Sequence, residues 1–275
     1  MQKKNVVAFM NMKGGVGKTT LCVNLADCLA RYYNKRILLI DLDPQFNATQ
    51  YLIPQEIYVN EIHNKGLTIN KVFLDNKVKP SLLDGEVEVE KPDTSNLEYK
   101  IYDNLYIVPG DLMLVNLEKN NIATKEHKLR KYIDSNDLRG DYDFIFIDCP
   151  PTQSIYTLAA FFASNYYIMP VKPDFLSTLG INLFRKTIDE YNEELPHKLE
   201  CMGIIFTLAQ DQTIHCRTTM SDIRKRYKFY TFDSYLKHSI HVPENAEKNI
   251  CLLDMPDFRD TIIKVAKEFL KCYSG

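Results

Sequence analysis

With 275 residues, 45% of them hydrophobic, the chain can bury a full core and has the size of one large α/β unit. Its 34 Lys and Arg against 36 Asp and Glu leave a formal net charge of −2, which excludes a general attraction to nucleic acid and confines any such binding to a local patch. The seven cysteines include no C-x-x-C pair and no apolar run reaches the length of a signal core or membrane span, so the sequence reads as a cytoplasmic protein with reduced, packed thiols.

In chain order, a first strand is predicted from Val6 to Met10, and a helix from Lys18 to Tyr33. Between them, Lys13 to Thr20 reads Lys-Gly-Gly-Val-Gly-Lys-Thr-Thr, a phosphate cradle at a strand-to-helix turn. Gly14, Gly15 and Gly17 let the main chain around Val16 close on an anion with its N–H groups inward, and the helix start adds the positive end of its dipole. Lys18 supplies a mobile charge for β/γ-phosphates, and the Thr19 hydroxyl is placed to hold Mg²⁺. The loop departs from the common pattern: Met12 stands where the first glycine is expected, and a second lysine, Lys13, follows it.

The second strand, Ile37 to Asp41, runs into Asp41-Leu42-Asp43-Pro44-Gln45. Carboxylates two residues apart at a strand end point to one side, where they can face phosphates, Mg²⁺ or an attacking water; capping of the following turn is the competing reading, favoured by Pro44 and Asn47. From about Pro54 to Asp103 the chain is polar, holds Pro80 and Pro92, and alternates acids at Glu86, Glu88 and Glu90. It reads as an insertion with little core of its own, a hairpin plus helices on a mobile surface.

Further strands are predicted at Leu105 to Pro109, Phe144 to Asp148, Tyr166 to Val171 and Met202 to Thr207. Helices are predicted at Lys125 to Asp134, Thr157 to Ala163, Leu179 to Asn192, Arg217 to Tyr227 and Asp257 to Cys272. Short strands that are apolar throughout, alternating with helices, predict an α/β fold: a doubly wound, mostly parallel sheet with helices on both faces, in one domain over 1–275. The strand Phe144 to Asp148 ends in a carboxylate, the expected Mg²⁺-side partner of a phosphate loop, with Asp148 acting through a metal-bound water. On the helix from Arg217, residues Arg217, Arg224, Lys225 and Lys228 form a cationic stripe while Met220, Ile223 and Tyr227 occupy another face. That stripe suits phosphate contacts that read no sequence, or is simply a solvated face. The six histidines show no metal spacing.

Three segments together, Lys13 to Thr20, Ile37 to Gln45 and Asp143 to Pro151, make the chain resemble the ParA/Soj family of DNA-partitioning ATPases, within the deviant Walker A P-loop group that includes MinD. The resemblance implies an ATP-dependent sandwich homodimer in which Lys13 crosses to the partner's phosphates. Lys18 would bind β/γ-phosphate, Thr19 Mg²⁺ and Thr20 the α-phosphate; Asp43 would orient water and Asp148 support the metal, while Asp41 takes a switch or structural part. It implies ATP rather than GTP, slow hydrolysis stimulated by a ParB-like or other cargo adaptor, nonspecific DNA binding and association with the nucleoid. An adenine-side loop is implied around Val242-Pro243-Glu244, with Asn249 where relatives often carry glycine. The chain starts almost at its first strand, so an N-terminal operator-binding extension is not expected. A MinD-like membrane-associated regulator is the alternative, but the last predicted helix reads as core-facing, and no membrane partner is expected. Cluster-carrying ATPases of this fold need paired cysteines, which this chain lacks.

Overall fold

The computed structural model describes residues 3–75, 77–80, 87–118, 125–194 and 197–274. Nine strands are seen: β1 Val6–Phe9, β2 Ile37–Asp41, β3 Lys77–Pro80, β4 Val87–Glu90, β5 Tyr99–Tyr102, β6 Leu105–Val108, β7 Phe144–Asp148, β8 Tyr166–Val171 and β9 Glu200–Phe206. Seven of them form one sheet in the order β5-β6-β2-β7-β1-β8-β9, parallel except for β5, which runs antiparallel to β6. β3 and β4 pair as a separate antiparallel hairpin.

The strands are apolar throughout because each feeds two cores. Val6 and Ala8 of β1, Leu38 and Ile40 of β2, and Ile145 and Ile147 of β7 lie in one buried cluster. The residues between them, Val7 and Phe9, Ile37 and Leu39, Phe144 and Phe146, lie in the other. Alternate side chains leave opposite faces of a strand, so a sheet covered on both sides has no polar register. One face is covered by the helices Lys18–Arg31 and Pro256–Ser274, through Leu21, Leu25, Phe258, Ile262, Val265 and Phe269. The other carries Lys125–Ser135, Ile155–Ala163, Ser177–Glu194 and Ile214–Arg226, through Leu129, Tyr156, Phe184 and Met220.

Of the helices that begin earlier than their hydrophobic periodicity predicts, two are started by a side-chain cap. Ser154 takes the extended backbone of an N-cap and accepts from the Thr157 N–H, and Thr213 does the same for Cys216, so the helices start at Ile155 and Ile214. The Ile214 helix ends at Arg226, where Tyr227 turns extended, so Lys228 is not on the helical stripe expected of it.

The segment 54–103 holds helices and a hairpin, as its sequence reading expects, and adds an edge strand to the main sheet. It contains the helix Gln55–Ile57, a π-helical turn Tyr58–His63, the helix Asn70–Phe73, the β3–β4 hairpin and the sheet's edge strand β5. Ile69, Val72, Phe73 and Leu97 are buried in one core of the main sheet and Ile62 in the other. The segment shares the cores of the sheet instead of building one. Glu86, at the start of the acidic alternation, lies outside the described residues.

Candidate functional site

β1 delivers the chain to the carboxyl edge of the sheet, where the glycine loop turns into the helix Lys18–Arg31. Gly15 has φ +66° and Gly17 φ +75°, the left-handed backbone that favours glycine. Gly17 is the helix N-cap and has no side chain to occupy the first-turn N–H groups, which leaves them for an anion. The loop is tied from behind: Thr207, after β9, donates its hydroxyl to the carbonyl of buried Val16 at 2.5 Å. Gly14 has open space, its nearest neighbour Pro151 lying 3.9 Å from where a Cβ would stand.

Lys18 is buried, and burial pulls its pKa down while Asp148, Cys149 and Asp43 pull it back up. Its Nζ donates across the loop to the Lys13 carbonyl at 3.4 Å. The Thr19 hydroxyl donates to Asp148 Oδ2 at 2.7 Å, joining the helix start to the end of β7. Asp148 Oδ1 is buried with no hydrogen-bond partner. Burial, then the neighbouring Asp41 charge, raise the Asp148 pKa well above the carboxylate range against the Thr19 hydrogen bond. An orphaned oxygen on a buried acid, beside a hydroxyl and a lysine, suits a hydrated divalent cation arriving with phosphates. Among the described residues no three His, Cys, Asp or Glu side chains gather to hold a metal by themselves.

The two carboxylates after β2 take different parts. β2 ends at Asp41, so the alternation does not carry through to Asp43. Asp41 Oδ2 accepts from the Thr49 hydroxyl at 2.7 Å and the Thr49 N–H at 2.8 Å, and Thr49 Oγ1 accepts from the Gly110 N–H at 2.8 Å. Burial pushes Asp41 up to about 7, against the two Thr49 hydrogen bonds. Asp41 is thus an internal anchor between β2, the helix Asn47–Leu52 and the end of β6. Asp43 lines the cavity above the loop, while its Oδ1 accepts from the Gln45 N–H at 2.9 Å, so it both caps its turn and faces the site.

That cavity, about 1010 Å³, is lined by the loop from Gly14 through Val16 and Thr19 to Thr20 and by Asp43. Its lining also includes Leu208, Val242, Pro243 and Asn249, but not Glu244. Asn249 has φ +57°, a conformation open to Gly or Asn, and its Nδ2 donates to the Gln50 and Tyr51 carbonyls. Sequence reasoning missed Phe46 and Tyr58 in the same lining. Their rings stack 5.3 Å apart, 16° from parallel, although Phe46 has φ +40°. The Asp43-Pro44-Gln45 turn was the available signal for Phe46; nothing local pointed to Tyr58, which the π-helical turn brings in.

Lys13 lies at the edge of this region. Its Nζ is 2.5 Å from Asp174 Oδ2, in the turn after β8.

The basic residues of the C-terminal third are not equivalent. Arg217 and Lys225 are exposed on the Ile214–Arg226 helix, and Lys228 is exposed beyond its end. Arg224 turns inward: its guanidinium donates to the Phe232 carbonyl at 3.0 Å and lies 5.3 Å from the centre of the Phe206 ring. Arg217, Ser221, Arg224 and Lys225 line a groove of about 490 Å³ opposite Tyr235 and Asp211, an acid already held low by hydrogen bonds from Lys237 and Tyr235. Among the described residues no helix is long and apolar enough to cross a membrane.

Residues 4–201 match the model of a family described as an AAA domain. The sporulation initiation inhibitor protein Soj of Bacillus subtilis is 28% identical over 241 residues, 87% of this chain and 86% of that protein. The chromosome partitioning protein ParA of Caulobacter vibrioides is 27% identical over 243 residues, 87% of this chain and 82% of that one. Among solved structures, a putative plasmid partition protein from Borrelia burgdorferi bound to AMPPNP superposes with a TM-score of 0.77 at 22% identity, covering 99% of both chains.

Proposed function

We propose, from the premise that the chain belongs to the ParA/Soj family of P-loop partitioning ATPases, that it is a single-domain ATPase that positions a large DNA-linked cargo. In this reading Mg²⁺ and ATP occupy the loop cavity, and two subunits pair face to face across it. The ATP-bound dimer holds DNA without reading sequence, associates with the nucleoid, and is released when a ParB-like adaptor stimulates slow hydrolysis. The observation that carries the reading is the Thr19–Asp148 hydrogen bond with the unpartnered Asp148 Oδ1 beneath a left-handed glycine loop.

Each residue then has a physical task. The loop N–H groups from Gly14 to Lys18 and the backbone around Thr20 cradle the phosphates, and Lys18, whose proton burial makes less tightly held, balances their charge. Thr19 and, through a water, Asp148 would hold the metal, and the bound Mg²⁺ would neutralise charge on the phosphate oxygens. Asp43, facing the cavity from a hydrogen-bonded turn, orients the attacking water. Lys13 of each subunit supplies a cation to the other's phosphates, in the manner of an arginine finger. The exposed Arg217, Lys225 and Lys228 offer DNA phosphates a cationic surface that dimerisation doubles. The helix Pro256–Ser274 spends its apolar face on the core, which favours the DNA reading over a membrane-bound one.

The test is fluorescence anisotropy of a labelled duplex. Binding is expected to require Mg²⁺ and ATP, to weaken with salt, and to vanish in Lys13→Ala although that variant still binds nucleotide. Equal binding by the nucleotide-free protein would overturn the switch.

A further inference from the structure

Lys13 is committed inside its own subunit. The acid that holds it is itself held: Asp174 Oδ1 accepts from Ser177 Oγ at 2.9 Å and from the Leu176 N–H at 3.2 Å. The single proton of that hydroxyl is shared with the Lys172 carbonyl, which fixes the turn to the end of β8. On the other side, the Lys13 N–H donates to Asn11 Oδ1 at 2.9 Å, and Asn11 Nδ2 donates to the Pro170 carbonyl at 2.7 Å. Both flanks of the ion pair are therefore tied to β8, the Lys13 backbone through Asn11 to Pro170 and the Asp174 turn through Ser177 to Lys172, so the carboxylate is already in place when the Lys13 side chain closes on it. Burial pushes the Asp174 carboxyl up, but the hydrogen bonds from Lys13 and Ser177 outweigh it and hold the acid below its usual range.

An ammonium has three donors, but one seated 2.5 Å from a carboxylate of its own chain has its charge largely neutralised and its side chain held toward its own subunit, so Asp174 competes with a phosphate bound to another subunit. The pair is still reachable, since the two side chains are 36% and 31% exposed and the adjoining Phe175 is 83% exposed.

We propose that Asp174 is the resting counter-ion of Lys13, a catch that keeps the lone subunit from pairing until a second copy of this chain offers its bound triphosphate in exchange. The inference rests on the dimer reading above and assigns its regulation to one residue. Asp174 is a positioning residue: it acts through Lys13 and touches no reacting atom. A partly exposed, well-braced pair restrains Lys13 by a factor of about five, and a dimer opens two catches, so removing them tightens the dimer by about 25-fold.

Sedimentation velocity on the full chain, with Mg²⁺ and a nonhydrolysable ATP analogue, reads this as a dimer dissociation constant. Asp174→Asn is expected to lower that constant by about 25-fold, and Ser177→Ala, which only loosens the brace, by less. Nucleotide affinity, measured below the dimerisation range, stays at the wild-type value. Asp174→Asn combined with Lys13→Ala is expected to remain monomeric, because the gain passes through the lysine; a merely structural role would not give a gain that needs Lys13. If wild type dimerises with the analogue and Asp174→Asn dimerises equally or less well, the catch is overturned and the dimer reading stands. If neither protein dimerises, both fall. Asp174→Ala repeats the comparison should the amide variant melt early.

Discussion

Replacing Asp148 by Asn should stabilise the nucleotide-free protein while weakening its response to Mg²⁺ and ATP. Asp41 and Asp148 are directly paired between β2 and β7, and both are fully buried. Neighbouring strands lie about 4.8 Å apart, so two ionised carboxylates about 5 Å from each other repel by about 3 kcal/mol at an effective dielectric constant of about 20. The amide keeps an acceptor for the Thr19 hydroxyl and can turn its NH₂ to the side of the unpartnered oxygen. For a chain of 275 residues the melting entropy is about 0.6 kcal/mol/K, so relief of about 3 kcal/mol raises the melting temperature by about 5 °C where both acids are ionised, and by less where one holds its proton. The gain should shrink as pH falls, because burial and the Asp41 charge raise the Asp148 pKa and favour its protonated, unrepelled form. Saturating Mg²⁺ and ATP at about 1,000 times their dissociation constant add about 4 kcal/mol to wild type. The variant should lose the magnesium-dependent part of that increment. Scanning calorimetry at pH 5 and pH 8, with nucleotide alone and with nucleotide plus Mg²⁺, separates the two effects. A variant that melts below wild type at pH 8 without ligand, or that keeps the full magnesium increment, would refute the reasoning.

The wild-type apo protein should itself lose stability as pH rises. Asp41, at about 7, binds its proton more tightly folded than unfolded, so its contribution is complete below about pH 4 and is lost as pH climbs through about 7; the raised Asp148 acts in the same direction. Calorimetric melts at constant ionic strength should fall from pH 5 to pH 8; a flat or rising series contradicts the assignment. Phe46→Gly relieves a left-handed backbone worth about 1 kcal/mol but removes the ring stacked on Tyr58, so stability should change by less than about 1 kcal/mol. ATP hydrolysis should nonetheless drop about tenfold as the Asp43 turn loses its wall, and Tyr58→Ala should match it while Tyr58→Phe does not; unchanged turnover in all three counts against positioning through the ring pair. Lys225→Ala should lower DNA affinity and the salt slope by about one unit, whereas Arg224→Ala, whose guanidinium ties down the Phe232 and Asp233 carbonyls, should chiefly lower the melting temperature. Titrations of both at three salt concentrations, with melts beside them, would show whether these arginine and lysine roles are reversed.

What the sequence alone determined is what the backbone encodes over a few residues. Glycines at 15 and 17 permit positive φ, Lys18 and Thr19 follow on the first turn of a helix, and strands buried on both faces must be apolar at every position. The phosphate loop, the parallel sheet and the strand-end Asp148 were legible for that reason. The alternation of strands and helices does not state which strand lies beside which, and everything that hangs on strand order waited for the tertiary structure. β1 sits between β7 and β8, so Lys13 meets Asp174, 161 residues away, and Thr19 meets Asp148. β2 lies between β6 and β7, which turns Asp41 inward to Thr49 and Gly110 and leaves Asp43 to the cavity. That the 54–103 segment has little core of its own was legible in its sparse, unpatterned apolar residues; that Phe73 and Ile62 bury themselves in cores built by other elements was not. Arg224 looked like its neighbours on a cationic stripe because helical spacing fixes the side of the helix and not the carbonyls beyond it. Short-range chemistry is carried by dihedral preference and side-chain spacing, while pairings across the fold depend on which surfaces close-pack, a property of the whole chain at once.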